Sequence, residues 1–190
     1  MARPPRRTFP ELARDLHAIL GLPLHEDTRR GLCWKLIWDC TELEGRWKNP
    51  RFRWSEAAVA QLRHNQQNGN GWFVGLRREH SYPMSLTIGE LIVPGIKLPQ
   101  VERLLDRGTA IAVLTVKEAN VVDRLNKTKW PEGKDPFRDR SARYDVVTDP
   151  PITFAQTEAP WATLPASAEQ TEVEDPDRVE PRLVPQDGVV

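Results

Sequence analysis

Residues 109–127 read TAIAVLTVKEANVVDRLNK, and this stretch decides the fold. Its first seven residues are almost continuously apolar and rich in β-branched side chains, the pattern of a buried strand. The period then changes. Thr115 followed three residues later by Glu118 is a capping box, so a helix is expected from Lys117 to about Lys127. Upstream, GWFVGLRREH (71–80) comes after a glycine turn and reads as another strand. Between the two, SLTIGELIV (85–93) is helical or briefly extended and ends at Pro94-Gly95. Pro99 then opens an amphipathic helix through Val101, Leu104 and Leu105 to Gly108. The expected order is strand, insertion with two helices, strand, helix.

Further outward, the N-terminal part is helical. Thr8 and Glu11 form a first capping box, and Leu12, Leu16, Ile19 and Leu20 recur at helical spacing until Gly21. A second helix is expected from about Asp27 to Glu44, with Gly45 as its C-terminal cap. Cys33 and Cys40 lie two turns apart on it and read as small core hydrophobes. Trp34 and Trp38, on the same helix, suit either the core or a partner surface. Ser55 caps a third helix with Ala57, Ala58, Val59 and Leu62, which dissolves into the polar run Asn65–Gly71. Residues 127–147 are polar and aromatic, a strap over the core. The resulting fold class is α+β: a bundle of three N-terminal helices packed on a small sheet with further helices.

Charge divides the chain. The whole balances 27 Lys+Arg against 27 Asp+Glu, but residues 151–190 carry eight acids and two bases, leaving +6 on residues 1–150. The last forty residues also hold many prolines and little apolar periodicity, so they are expected to be a disordered acidic tail. One globular domain is therefore expected over 1–150, helical over 1–68 and mixed over 70–150. The tail reads as a solvating segment, as a nucleic-acid mimic that screens a basic face, or as a docking arm for a protein partner. Two cysteines seven apart provide neither a disulfide framework nor a cysteine zinc site. With no apolar run of about 18 residues to span a membrane, a cytoplasmic location is the expectation.

Two constellations bear on function. RWKNPRFRW (46–54) interleaves Arg46, Lys48, Arg51 and Arg53 with Trp47, Phe52 and Trp54. Cationic side chains neutralise phosphates and flat rings stack on unpaired bases, so the segment suits contact with DNA or RNA. The same rings could equally plug the core at a helix connection. The second constellation is Glu79-His80, continued by Ser81-Tyr82-Pro83, together with Asn120 on the last helix. A carboxylate and an amide oxygen can hold a divalent ion such as Mg²⁺ or Mn²⁺, while a neutral imidazole takes a proton from the attacking water. The plain alternative is a hydrogen-bonded loop histidine beside a solvated carboxylate. His17, His25 and His64 read as surface or capping residues.

At Glu79, His80, Pro83 and the junction LTVKEAN (114–120), the sequence resembles the HNH branch of the His-Me finger endonucleases. The resemblance spans about residues 72–127. It implies a ββα-metal unit in which Glu79 is a metal ligand, His80 the general base and Asn120 the helix-borne ligand, with residues 84–108 inserted. Two functions are thus expected: a Mg- or Mn-dependent endonuclease or its degenerate relative, or a non-catalytic accessory protein. The second would bind nucleic acid or protein through its helical half or its tail.

Overall fold

A computed structural model describes residues 8–43, 47 and 49–156. Within these, the chain is a mixed α+β fold of seven helices around one three-stranded sheet. The acidic tail beyond residue 156, Arg46, Lys48 and the expected cap at Gly45 lie outside the described residues.

Helix α1 (Phe9–Leu20) starts where expected, with the Glu11 carboxylate accepting the Thr8 backbone N–H at 2.6 Å. Helix α2 (Glu26–Thr41) stops three residues short of Glu44. Its end is set by Asn49, whose buried amide donates to the Thr41 carbonyl at 3.0 Å and satisfies one of the carbonyls a helix terminus leaves open. Strand β1 (Arg53–Trp54) comes next, then α3 (Glu56–Gln67), capped by the Ser55 hydroxyl accepting the Ala58 N–H.

Strand β2 (Leu76–His80) is shorter than the run 71–80 implied. Residues 72–75 form turns, with Gly75 at φ +78°, and the buried Asn65 amide donates to the carbonyls of Trp72 and Val74. The side chain supplies what a strand neighbour would otherwise supply. The insertion carries two helices, α4 (Met84–Leu91) and α5 (Leu98–Gly108), joined by a turn at Pro94-Gly95. Strand β3 (Ile111–Thr115) leads directly into α6 (Val116–Asn126), whose capping box is complete: Thr115 Oγ1 accepts the Glu118 N–H, and the Glu118 carboxylate accepts the Thr115 N–H. A short α7 (Ala142–Asp145) lies in the strap.

The strand order is β1-β3-β2, with β1 parallel and β2 antiparallel to β3. The helices sort differently from the expected N-terminal bundle of three. α1 and α2 pack with α4 and α5 around Leu16, Ile37, Leu91, Val101 and Leu105. The insertion thus completes the helical core, because the apolar face of α5 packs on α1, α2 and α4. Cys33 and Cys40 are buried there without a disulfide, and desolvation pushes their thiols up to about 11 and about 12. α3 instead covers one face of the sheet with Trp54, Leu62, Phe73, Ile111 and Val113. α6 and α7 cover the other with Ala112, Leu114, Val122 and Tyr144. No helix among the described residues is long and apolar enough to cross a membrane.

Candidate functional site

Successive side chains of a strand point to opposite faces of its sheet, and this determines what Glu79 and His80 can do together. Glu79 lies beside Ala112 in the register and faces α6 and α7; His80 lies beside Ile111 and faces the other way. The two adjacent residues belong to two separate environments.

The Glu79 side is ionic. One carboxylate oxygen forms an ion pair with Arg77 Nε at 2.7 Å, and the other accepts Arg143 Nη1–H at 3.2 Å. Arg77 also reaches Asp123 of α6 at 3.0 Å, and Arg143 reaches the same carboxylate at 3.6 Å. Two carboxylates thus face two guanidinium groups. Arg143, whose side chain is 3% exposed, further donates to the backbone carbonyls of His80 (2.6 Å) and Asn126 (3.2 Å). Its cation therefore also meets the negative end of α6. A single side chain ties the strap, the end of β2 and the end of α6 together.

The His80 side is neutral and aromatic. Nδ1–H donates to the Gly108 carbonyl at 2.6 Å, which fixes the tautomer because a carbonyl only accepts. The ring meets Trp38 edge-on, with centroids 4.6 Å apart, and the residue is 7% exposed. Burial is the main reason its pKa falls to about 4; the Gly108 bond opposes that shift, and the charges of Arg78 and Arg143 add to it. Nε2, the atom a general base would use, is buried and has no hydrogen-bond partner among the described residues. Trp38 also carries the Arg78 guanidinium at 5.0 Å, and Trp34 packs against the helical core, so both tryptophans are engaged within the chain.

Asn120 is exposed on α6, where it lines an open depression of about 580 Å³ with Lys117, Val121, Asp123 and Arg124. The α6 residue that reaches Glu79's ionic cluster is Asp123, one turn further on. The expected ligand set therefore does not fit a divalent ion. Both oxygens of Glu79 are held by guanidinium groups, Asn120 points to the surface, and His80 occupies the opposite face. Among the described residues no three His, Cys, Asp or Glu side chains come together as a metal-holding group. Sequence reasoning missed Arg77, Asp123 and Arg143. Arg77 was legible, two residues before Glu79 on one strand face; Arg143 had no local signal.

The connector residues divide likewise. Trp54 is 2% exposed in the core under α3, and Trp47 stacks on Phe73 with centroids 4.3 Å apart. Both rings are used in packing within the chain. Arg53 lies over the Phe154 ring at 4.1 Å and donates to Ser141 Oγ. Arg51 is exposed and pairs with Asp106 of α5, a carboxylate it shares with Arg140 of the strap. Arg103 and Arg107 meet the exposed ring of Phe137 beside it.

Compared with known proteins, the chain matches no family model, no curated protein and no solved structure.

Proposed function

We propose that this chain is a non-catalytic nucleic-acid-binding accessory protein, built on a degenerate relative of the HNH-type ββα unit. One observation carries the reading: the carboxylate expected to hold a metal ion instead holds two arginines, while the expected base is on the other side of the sheet. A general base works best with a pKa near the working pH and with its nitrogen within reach of the substrate. His80 has a pKa of about 4 and a buried Nε2. Binding without chemistry asks less of the fold. Arg51, Arg103 and Arg140 are exposed and come from three separate segments; Arg51 and Arg140 share the carboxylate of Asp106, and Arg103, on the same helix as Asp106, lies over Phe137. Arginine side chains so placed contact phosphates without reading base sequence.

The endonuclease reading keeps one specific support. β2, β3 and α6 have the strand–strand–helix order of that unit, with Glu79 on the helix side. It would require Arg143 to release Glu79 before any ion could bind.

The test is a gel-shift titration of a labelled DNA duplex with the full chain, in the presence of Mg²⁺. The expected result is a salt-sensitive complex from which the DNA is recovered uncut. Reversing charge in Arg51→Glu with Arg140→Glu should weaken the complex at least about tenfold at low salt. Equal binding by the wild-type and reversed chains would refute the assignment of this surface.

A further inference from the structure

Beyond β1, a short extended segment of the chain pairs with the edge of the sheet. Residues 153–155 run antiparallel along the free edge of β1: Glu56 N–H donates to the Thr153 carbonyl at 2.9 Å, Ala155 N–H donates to the Trp54 carbonyl at 2.9 Å, and Ser55 pairs with Phe154. An exposed sheet edge is a liability, and covering it with a loop is a common remedy. The direction of this loop carries the inference. In this register Gln156 comes beside Arg53, so the described chain runs toward the end of β1 that Arg51 precedes, and the next acid in the sequence is Glu158. Phe154 already shares a face with Arg53, whose guanidinium lies over its ring. The chain past this point is acidic: residues 157–190 carry eight acids and two bases.

We propose that this acidic segment docks on the arginines at the end of β1 and on the neighbouring strap, namely Arg51, Arg53 and Arg140, and competes there with nucleic acid. Three observations support the choice of occupant. The described chain ends a few residues from this surface and heads toward it. The surface and the segment have opposite charge. Arg51 and Arg140 share the single carboxylate of Asp106, which among the described residues leaves two guanidinium groups on one carboxylate at an exposed position. A tethered acidic segment has a high effective concentration at such a site, set by the short distance it must span. Bound phosphates would need to displace it, which raises the affinity threshold for a partner and makes release salt-dependent. The docking stands on the geometry alone; its consequence for nucleic acid rests on the function proposed above.

The test uses the full chain and a variant with Glu158→Gln and the corresponding amide changes at the other seven acids of residues 157–190. All of these changes lie outside the described fold. The first reading is by NMR of the arginine Nε–Hε groups, which needs no nucleic acid. The signals of Arg51, Arg53 and Arg140 are expected to shift between the two chains, and to approach one another as salt is added. Coincident signals at low salt would overturn the docking. The second reading is binding of a labelled DNA duplex at low salt, where the amide variant is expected to bind at least about tenfold more tightly. Shifted signals with equal DNA binding by both chains would overturn the competition. Shifted signals with DNA binding by neither would leave the docking standing and bring down the nucleic-acid reading instead.

Discussion

The two faces of the small sheet solve one problem in opposite ways. Toward α6 and α7, the strand buries charge and compensates it, Glu79 and Asp123 against Arg77 and Arg143. Toward α2 and α3, it buries a histidine and keeps it neutral, one nitrogen on the Gly108 carbonyl and the ring against Trp38. A compensated charge is sensitive to the loss of its partner and a neutral titratable group is sensitive to protons, so the faces should fail under different perturbations.

The largest effect is expected on the ionic face. Arg143→Met leaves the buried carboxylate of Glu79 and the half-buried one of Asp123 with one guanidinium, and removes the donor to the backbone carbonyls of His80, Asn126 and Lys127. Breaking a buried pair in this way costs about 3–5 kcal/mol, which a urea titration would register as a large drop in midpoint. Glu79→Gln added to it should cost less than the two single changes together, because the second change removes a charge already stranded.

The neutral face should respond to acid. The folded-state pKa of His80 is about 4, below its ordinary 6.5, so between those values the unfolded chain binds more protons than the folded one. Stability is therefore complete above about pH 6.5 and falls as pH drops toward 4. The loss is on the order of 3 kcal/mol for a shift of this size. His80→Asn, whose amide can still donate to Gly108, should flatten that slope in unfolding free energies measured at several pH values. An unchanged slope would assign the acid response to other groups.

Ser55 joins the two faces. Its hydroxyl donates to Glu118 of α6 at 2.8 Å and accepts the Ala58 N–H at the start of α3. Ser55→Ala is expected to cost about 1–2 kcal/mol by thermal or urea unfolding, the upper range for a lost N-cap. The smallest effect marks the limit of the comparison. Arg51 and Asp106 form an exposed pair, and Asp106→Asn should change stability by less than about 1 kcal/mol. A larger loss would mean that burial is not what separates strong from weak ion pairs here.

Much of the fold was legible because its signals are local. The capping boxes at Thr8 and Thr115, the Ser55 cap and the apolar run of β3 each lie within a few residues and need no distant partner. The two residues of β1 are too few for any period to register, and the true start of β2 depends on Asn65, outside the strand. The regrouping of α4 and α5 with α1 and α2 is a tertiary outcome that amphipathicity permits without choosing. For the site, adjacency drew Glu79 and His80 together in the sequence. The pleat separates them once the strand extends through residue 80. Arg143, 64 residues away from Glu79, becomes visible only when the strap has folded over the sheet.

The function proposed above is binding without cutting. The most direct measurement is conversion of supercoiled plasmid to nicked circles by the wild-type chain and by His80→Ala, each with Mg²⁺ and with Mn²⁺. The account expects no nicking by either protein above the protein-free control. Nicking by the wild-type chain that disappears in a folded His80→Ala protein would contradict it.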